Sequence, residues 1–154
     1  MFTVRAAEPD DEPFLREMLR EAARGAPLDD PVVARYIDGW GRPGDLGVVA
    51  VGGGPSGAPL GAAWVRLFPG DAPGYGWVGD DVPELAMAVR PSSRGMGFGR
   101  TLLTAVLRAS RAAGYQRVSL SVDPANTAAR RLYDSSGFRA TGGSGTSTTM
   151  VVDL

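Results

Sequence analysis

A change of period near the middle of the chain constrains the fold most. Glu84 to Val89 reads as one buried strand, Glu-Leu-Ala-Met-Ala-Val. It runs into a basic, glycine-rich turn, Arg90 to Gly99. Phe98, Leu102, Val106, Ala109 and Ala113 then fall on one helix face, and Gly114 suits the C-terminal cap. A buried strand and a one-sided helix, joined by a short turn, predict a helix packed on a sheet.

The flanking segments extend this pattern. Phe2 to Ala6 reads as a first strand. Asp10 or Asp11 then caps a helix that tolerates Pro13 in its first turn and carries Phe14, Leu15, Met18, Leu19 and Ala22. Gly25-Ala26-Pro27 breaks it. A second helix carries Val33, Tyr36, Ile37 and Trp40 on one face and ends at Gly41 to Gly44. Leu46 to Val51 pairs as a hairpin with Leu60 to Phe68, across the turn residues Gly52 to Gly57. Residues 69–82 form a Gly/Pro/Asp loop with Tyr75 and Trp77, long enough to be functional. Val118, Leu120 and Val122 alternate as a strand, Thr127 to Ser135 forms a short helix, and Phe138 to Thr141 pairs with Thr146 to Leu154. The order β-α-α-β-β-β-α-β-α-β-β predicts a single α/β domain over residues 1–154 with a mixed sheet.

Three absences narrow the chemistry. The 154 residues include no cysteine and no histidine, and all 16 basic residues are arginine. Zinc fingers, iron–sulfur clusters, cysteine nucleophiles and Ser-His-Asp triads are excluded, as are a Schiff-base lysine and a Walker-type phosphate lysine. Carboxylates, tyrosine, serine, threonine, arginine, the backbone and a bound cofactor remain. No metal site is expected. No run approaches the length of a membrane span. The N-terminus lacks a secretory pattern, so a cytoplasmic location is the default expectation. Charge is split: residues 1–89 carry 14 acids and 7 arginines, while residues 90–154 carry 3 acids and 9 arginines.

The turn itself is a candidate anion site. The free N–H groups of a helix's first turn attract phosphate. Gly95, Gly97 and Gly99 permit close approach and positive φ, and Arg94 and Arg100 add charge. The dinucleotide fingerprint fails, because Arg100 stands where its last glycine belongs.

Arg94-Gly95-Met96-Gly97-Phe98-Gly99 resembles the R/Q-x-x-G-x-G/A loop of GNAT-type N-acetyltransferases, and Ala88-Val89-Arg90-Pro91 resembles the end of their fourth strand. A second segment, Asn126 to Phe138, is similar to the family pattern N-x-x-A-x-x-L-Y-x-x-x-G-F at every fixed position. The resemblance is specific over about residues 83–139 and looser elsewhere. It implies a single GNAT-like domain: a mixed, mostly antiparallel sheet of about seven strands flanked by about four helices. It implies acetyl-CoA as cosubstrate, with its pyrophosphate on Arg94, Gly95, Met96, Gly97, Phe98, Gly99 and Arg100. A backbone N–H near Met87, Ala88 and Val89 would polarise the thioester carbonyl.

The same resemblance assigns Asn126 to the cofactor arm and Tyr133 to general acid at the CoA sulfur. The two lie seven residues apart, about two helical turns, and can share a helix face. Glu84 is the best-placed base, with Asp80 and Asp81 as alternates. Asp29, Asp30, Tyr36, Trp40, Tyr75 and Trp77 are acceptor-site candidates. Arg130 or Arg131 could reach the adenosine end. The expected reaction is direct acetyl transfer to a primary amine in a ternary complex, and the competing reading is a non-catalytic acyl-CoA-binding module. Nucleic acid and membrane partners are not expected. Dimers are common in this family, so a homodimer is one expected assembly.

Overall fold

The computed structural model describes residues 2–23, 27–53, 57–144 and 146–154, without the side chain of Ser144. The helix break at Gly25-Ala26, the turn at Gly54-Pro55-Ser56 and Gly145 lie outside these. The elements are β1 (Phe2–Ala6), α1 (Glu12–Ala22), α2 (Pro31–Ala34), β2 (Leu46–Gly52), β3 (Pro59–Arg66), β4 (Glu84–Val89), α3 (Phe98–Ala112), β5 (Arg117–Val122), α4 (Thr127–Ser135), β6 (Arg139–Ser144) and β7 (Ser147–Asp153). Short 3₁₀ turns at Pro9–Asp11 and Pro91–Ser93 precede α1 and α3.

The strands form one seven-stranded sheet in the order β1-β2-β3-β4-β5-β7-β6. β4 and β5 are parallel, and the other ladders among the described residues are antiparallel. The expected mixed, mostly antiparallel sheet with four helices is therefore present.

Alternation along the central strands explains the two cores. Val48, Ala50, Ala63, Val65 and Leu85 face α3 and pack on Leu102, Leu103 and Val106. Val49, Val51, Ala62, Trp64 and Ala86 face the other way, onto Leu15, Met18 and Leu19 of α1 and onto Val33 and Ile37. The middle of the sheet is thus covered on both faces.

Two local expectations change. Asp11 stands at the N-cap of α1, yet its side chain does not cap that helix. Its carboxylate instead takes Arg5 at 2.7 and 2.8 Å and the Glu8 N–H at 2.7 Å. The second helix is also much shorter than its apolar spacing predicts. Val33, Tyr36 and Ile37 are buried as expected, but α2 stops at Ala34. The reason is Arg66 on β3. Its Nη1 donates to the carbonyls of Arg35 (2.9 Å) and Asp38 (2.6 Å), which a continuing helix would have used. Gly39 then turns with φ +67°.

Arg66 and Asp45 form a two-pronged pair at 3.0 and 2.7 Å, with side chains 0% and 3% exposed. The guanidinium lies 5.8 Å from the Trp40 ring centroid. Trp64 Nε1 donates to the Tyr36 carbonyl at 2.8 Å. Residues 35–45 are therefore fixed to β3 by buried polar contacts.

Asp45→Asn should cost about 3–5 kcal/mol, because it leaves a buried guanidinium without its counter-charge. The midpoint of urea unfolding reads this. An unchanged midpoint would show that the pair does not hold the segment.

Candidate functional site

The site begins where two strands part. β4 and β5 pair at one position, Glu84 opposite Ser119, next to a Ser119 N–H donated to Pro83 at 3.0 Å. Beyond that point they diverge. Arg90 N donates to Leu60 O at 2.8 Å, and the β3–β4 register opposes Ala62 to Ala88 and Ala63 to Met87. Antiparallel alternation then sends the Ala88 N–H to β3 and turns the peptide groups of Met87 and Val89 toward the gap. Of the three expected backbone positions, Met87 and Val89 offer donors and acceptors to a ligand. Ala88 contributes wall only.

A cleft of about 660 Å³ occupies the gap, lined by Met87–Val89 on one side and Ser121–Asp123, Asn126 and Tyr133 on the other. A second hollow of about 310 Å³ shares Met87–Val89 and Tyr133, and continues past Arg94, Gly95 and Gly97 to Gly99. The strand gap thus leads directly to the glycine turn.

Gly95 and Gly97 sit at φ +79° and +83°. A Cβ at either would meet open space, so backbone conformation rather than crowding demands glycine there. Gly97 is the N-cap of α3 and offers no side-chain cap. The first-turn N–H groups of a 15-residue helix therefore face the hollow's end with their dipole. The other predicted contacts behave unequally. Arg94 is 57% exposed and pairs with Glu21 of α1 at 3.1 Å. Arg100 donates to Ser135 Oγ at 3.1 Å. The Met96 side chain is exposed. The Phe98 ring packs edge-on against Phe2, 4.3 Å between centroids, so its contribution to an anion site is its backbone. Arg130 pairs with Asp134 at 3.4 Å.

Asn126 is the N-cap of α4, accepting from the Ala129 N–H at 3.2 Å. Its amide oxygen serves the helix, while the residue lines the cleft. Tyr133 stands about two turns further along α4, at the junction of the two hollows. Its ring packs on Phe138 at 5.5 Å and on the α3-side core. Burial pushes its phenol up to about 12.

Glu84 is fully buried and does not line the cleft. So placed, the carboxylate does not itself meet a ligand in the cleft. Its Oε1 accepts from the Tyr36 hydroxyl and the Gly76 N–H, both at 2.8 Å. Its Oε2 has no hydrogen-bond partner of good geometry. Burial pushes this carboxyl up, and the donors from Tyr36 and the loop pull it partly back. The Tyr36 phenol is pushed well up by burial and by the Glu84 charge. The alternates Asp80 and Asp81 are exposed and lie away from the cleft.

The loop over Glu84 fits through two glycines. A Cβ at Gly74 would lie 2.2 Å from Glu84 Oε2. A Cβ at Gly76 would lie 2.5 Å from the Leu120 carbonyl carbon, on the β5 backbone. Tyr75 between them donates its N–H to the Tyr36 hydroxyl at 2.9 Å and lines the cleft with a half-exposed ring.

Tyr36 and Tyr75 are therefore the acceptor-side candidates that the fold brings to the cleft. Asp30 caps α2 through the Val32 and Val33 N–H groups. Trp40 Nε1 donates to Glu8 O at 3.2 Å and Trp77 Nε1 to Phe68 O at 3.1 Å, so both indoles are structural. Asp29 is exposed and outside the cleft. Glu21, Thr146 and Ser147 line the cleft without a sequence signal that marked them.

Comparison with known proteins matches residues 12–138 to the acetyltransferase (GNAT) family. A mycothiol acetyltransferase from Thermomonospora curvata is 32% identical over 143 residues, covering 88% of this chain and 43% of that protein. One from Thermobispora bispora is 39% identical over 83 residues, 54% of this chain and 27% of that protein. The chain thus spans less than half the length of these curated relatives. Among solved structures, a GCN5-related N-acetyltransferase from Kribbella flavida superposes with a TM-score of 0.73 at 24% identity, covering 99% of this chain and 98% of that one. A phosphinothricin acetyltransferase from Sinorhizobium meliloti, in complex with acetyl-CoA, gives 0.74 at 21% identity, covering 99% of this chain and 88% of that one. At these identities the structures establish the fold.

The raised Tyr133 phenol has a signed consequence. Unfolded, the phenol ionises near its ordinary value of about 10, whereas folded it holds its proton to about 12. Between those values the folded state binds more protons, so stability falls as pH rises through that window. Urea unfolding from pH 9 upward should show this loss, and Tyr133→Phe should reduce it. An identical pH dependence in the variant would contradict the burial of the hydroxyl.

Proposed function

The chain belongs to the acetyltransferase (GNAT) family, and from that membership we propose that it transfers the acetyl group of acetyl-CoA to a primary amine. The observation that carries the reading is the continuity of the strand gap with the glycine turn. Acetyl-CoA is a chain of amides ending in phosphates. The peptide groups of Met87 and Val89 suit the amides, and the first turn of α3 suits the pyrophosphate. Arg94 and Arg100 would exchange Glu21 and Ser135 for phosphate oxygens. Surface pairs of this kind hold a guanidinium weakly. Gly95, Met96, Gly97, Phe98 and Gly99 contribute backbone, and the Asn126 side-chain amide retains N–H donors for the cofactor arm.

The transfer runs in a ternary complex. The neutral amine attacks the thioester carbon, whose oxygen a β4 N–H polarises. The C–S bond breaks, and Tyr133 gives its proton to the departing sulfur. Burial that raises the phenol also raises a thiol in the same place, so the two stay matched. Two protons leave the nitrogen overall: one ends on the thiol, with Tyr133 restored, and one goes to solvent. Glu84 is the group that accepts the second.

The relatives' name brings mycothiol-type compounds in as acceptor candidates. Small amines and protein N-termini stand beside them. A homodimer fits the family's habit, and no metal, nucleic acid or membrane is part of the proposal. A cytoplasmic location goes with it. The competing reading is an acyl-CoA-binding module without turnover.

The discriminating experiment supplies acetyl-CoA with 2-phenylethylamine, glucosamine, spermidine and an alanine-initiated peptide. Free thiol is then read with a colorimetric reagent. The chain has no cysteine and no lysine, so neither its own thiols nor side-chain acetylation contributes background. Acetyl-CoA binding by calorimetry with no thiol release from any amine would favour the binding module. Tyr133→Phe should lower turnover on the order of 10²-fold and leave acetyl-CoA affinity nearly unchanged. Undiminished turnover would remove Tyr133 from its role.

A further inference from the structure

We propose that Tyr36 is the residue through which the acceptor amine loses its proton, with Glu84 as the terminal acceptor, so that the two side chains work as one base. This rests on the acetyl-transfer reading above. Glu84 alone is poorly placed for the task, since it is fully buried and does not reach the cleft wall. Tyr36 is buried beside it and is one of the residues that line the cleft. Its hydroxyl already donates to Glu84 Oε1 at 2.8 Å and accepts from the Tyr75 N–H at 2.9 Å. A hydroxyl has one proton and two lone pairs; the Gly76 N–H, shared with Glu84 Oε1, also lies against this oxygen, so an arriving amine N–H would take the place of that contact.

The surroundings suit proton acceptance. No guanidinium ion-pairs with Glu84 among the described residues: the buried Arg66, its cross-strand neighbour on β3, is held instead by Asp45. A buried carboxylate without a counter-cation gains from an arriving proton. The Gly76 N–H holds Oε1 in line with the hydroxyl, while Oε2 remains unpartnered. Three segments of the chain build this unit: β4, the loop at 74–76 and the segment after α2. The charged groups lining the nearby wall are Glu21, Arg94 and Asp123, and none of them contacts the Tyr36 hydroxyl.

The step balances simply. The ammonium N–H bond breaks as its proton passes to the Tyr36 oxygen. The Tyr36 O–H bond breaks as its proton passes to Glu84 Oε1. The amine becomes neutral, Tyr36 is unchanged, and Glu84 carries the proton until solvent removes it.

A purely structural clamp is the competing role, because the same contacts pin Tyr75 beside the cleft. The pH profile of kcat/KM separates the two, using the fastest of the four amines named above. With the relay, Tyr36→Phe should lose on the order of 10²-fold at pH 7. It should regain rate as pH approaches the amine's own value, where the substrate arrives neutral. Glu84→Gln should show the same recovery. With a clamp alone, Tyr36→Phe lowers the rate by one factor at every pH and raises KM for the amine. That parallel profile overturns the proposal. Should Tyr36→Phe not fold, site-specific 3-fluorotyrosine at position 36 keeps both hydrogen bonds and makes the phenol more acidic. An unmoved acidic limb would then overturn the relay. Wild-type turnover and acetyl-CoA binding test the acetyl-transfer reading separately from these variants.

Discussion

One parallel contact sets the geometry of the whole site. β4 and β5 meet at Glu84 and Ser119 and then part. Backbone groups in a sheet interior are obligatory hydrogen-bonding groups, so a gap of this kind leaves peptide edges that need a partner. The turned-out edges of Met87 and Val89 are a ready complement for an extended chain of amides. α3 starts where β4 ends, which places its free N–H groups at the far end of that edge. A strand gap and a helix start, each ordinary, become one continuous surface for an elongated anionic ligand.

The opposite side of the sheet is organised by polar contacts rather than by apolar volume alone. Arg66 takes two carbonyls from residues 35–38 and the carboxylate of Asp45. Trp64 takes the carbonyl of Tyr36. With its main chain held, the Tyr36 side chain reaches Glu84, and Glu84 in turn holds the loop through Gly76. The loop seats because Gly74 and Gly76 have no Cβ. Each contact fixes the next from a different part of the chain.

How much of this was readable from the sequence depends on its range. β4, the glycine turn, α3 and α4 rest on local periodicity and short motifs, and all lie as expected. The side of the cleft built on the glycine turn and α4 was legible for the same reason: its residues fall in two short segments. The side built on residues 33–36 and the loop was not. Spacing shows that Val33, Tyr36, Ile37 and Trp40 share a face, and it does not show that Arg66, about 30 positions away, will take the carbonyls of a longer helix. An aromatic residue in a loop reads alike whether its polar atom meets a ligand or a main-chain carbonyl. Trp40 and Trp77 meet carbonyls; Tyr36 and Tyr75 face the cleft. A glutamate at a strand start reads as exposed or reactive. Its burial depends on a loop that returns from eight to ten residues earlier.

The division between the two halves has an evolutionary side. The wall along β4 and the glycine turn offers mostly main-chain groups, so hydrogen bonds made to it survive many side-chain changes. The acceptor wall hangs from Arg66, whose two captured carbonyls impose little on the identity of Arg35 or Asp38. Side chains facing the cleft from residues 27–37 and from the loop can therefore drift while the scaffold that presents them stays put. A lineage with this architecture can alter what that wall presents to a ligand by editing a few surface positions, and the half built on the glycine turn need not register the change.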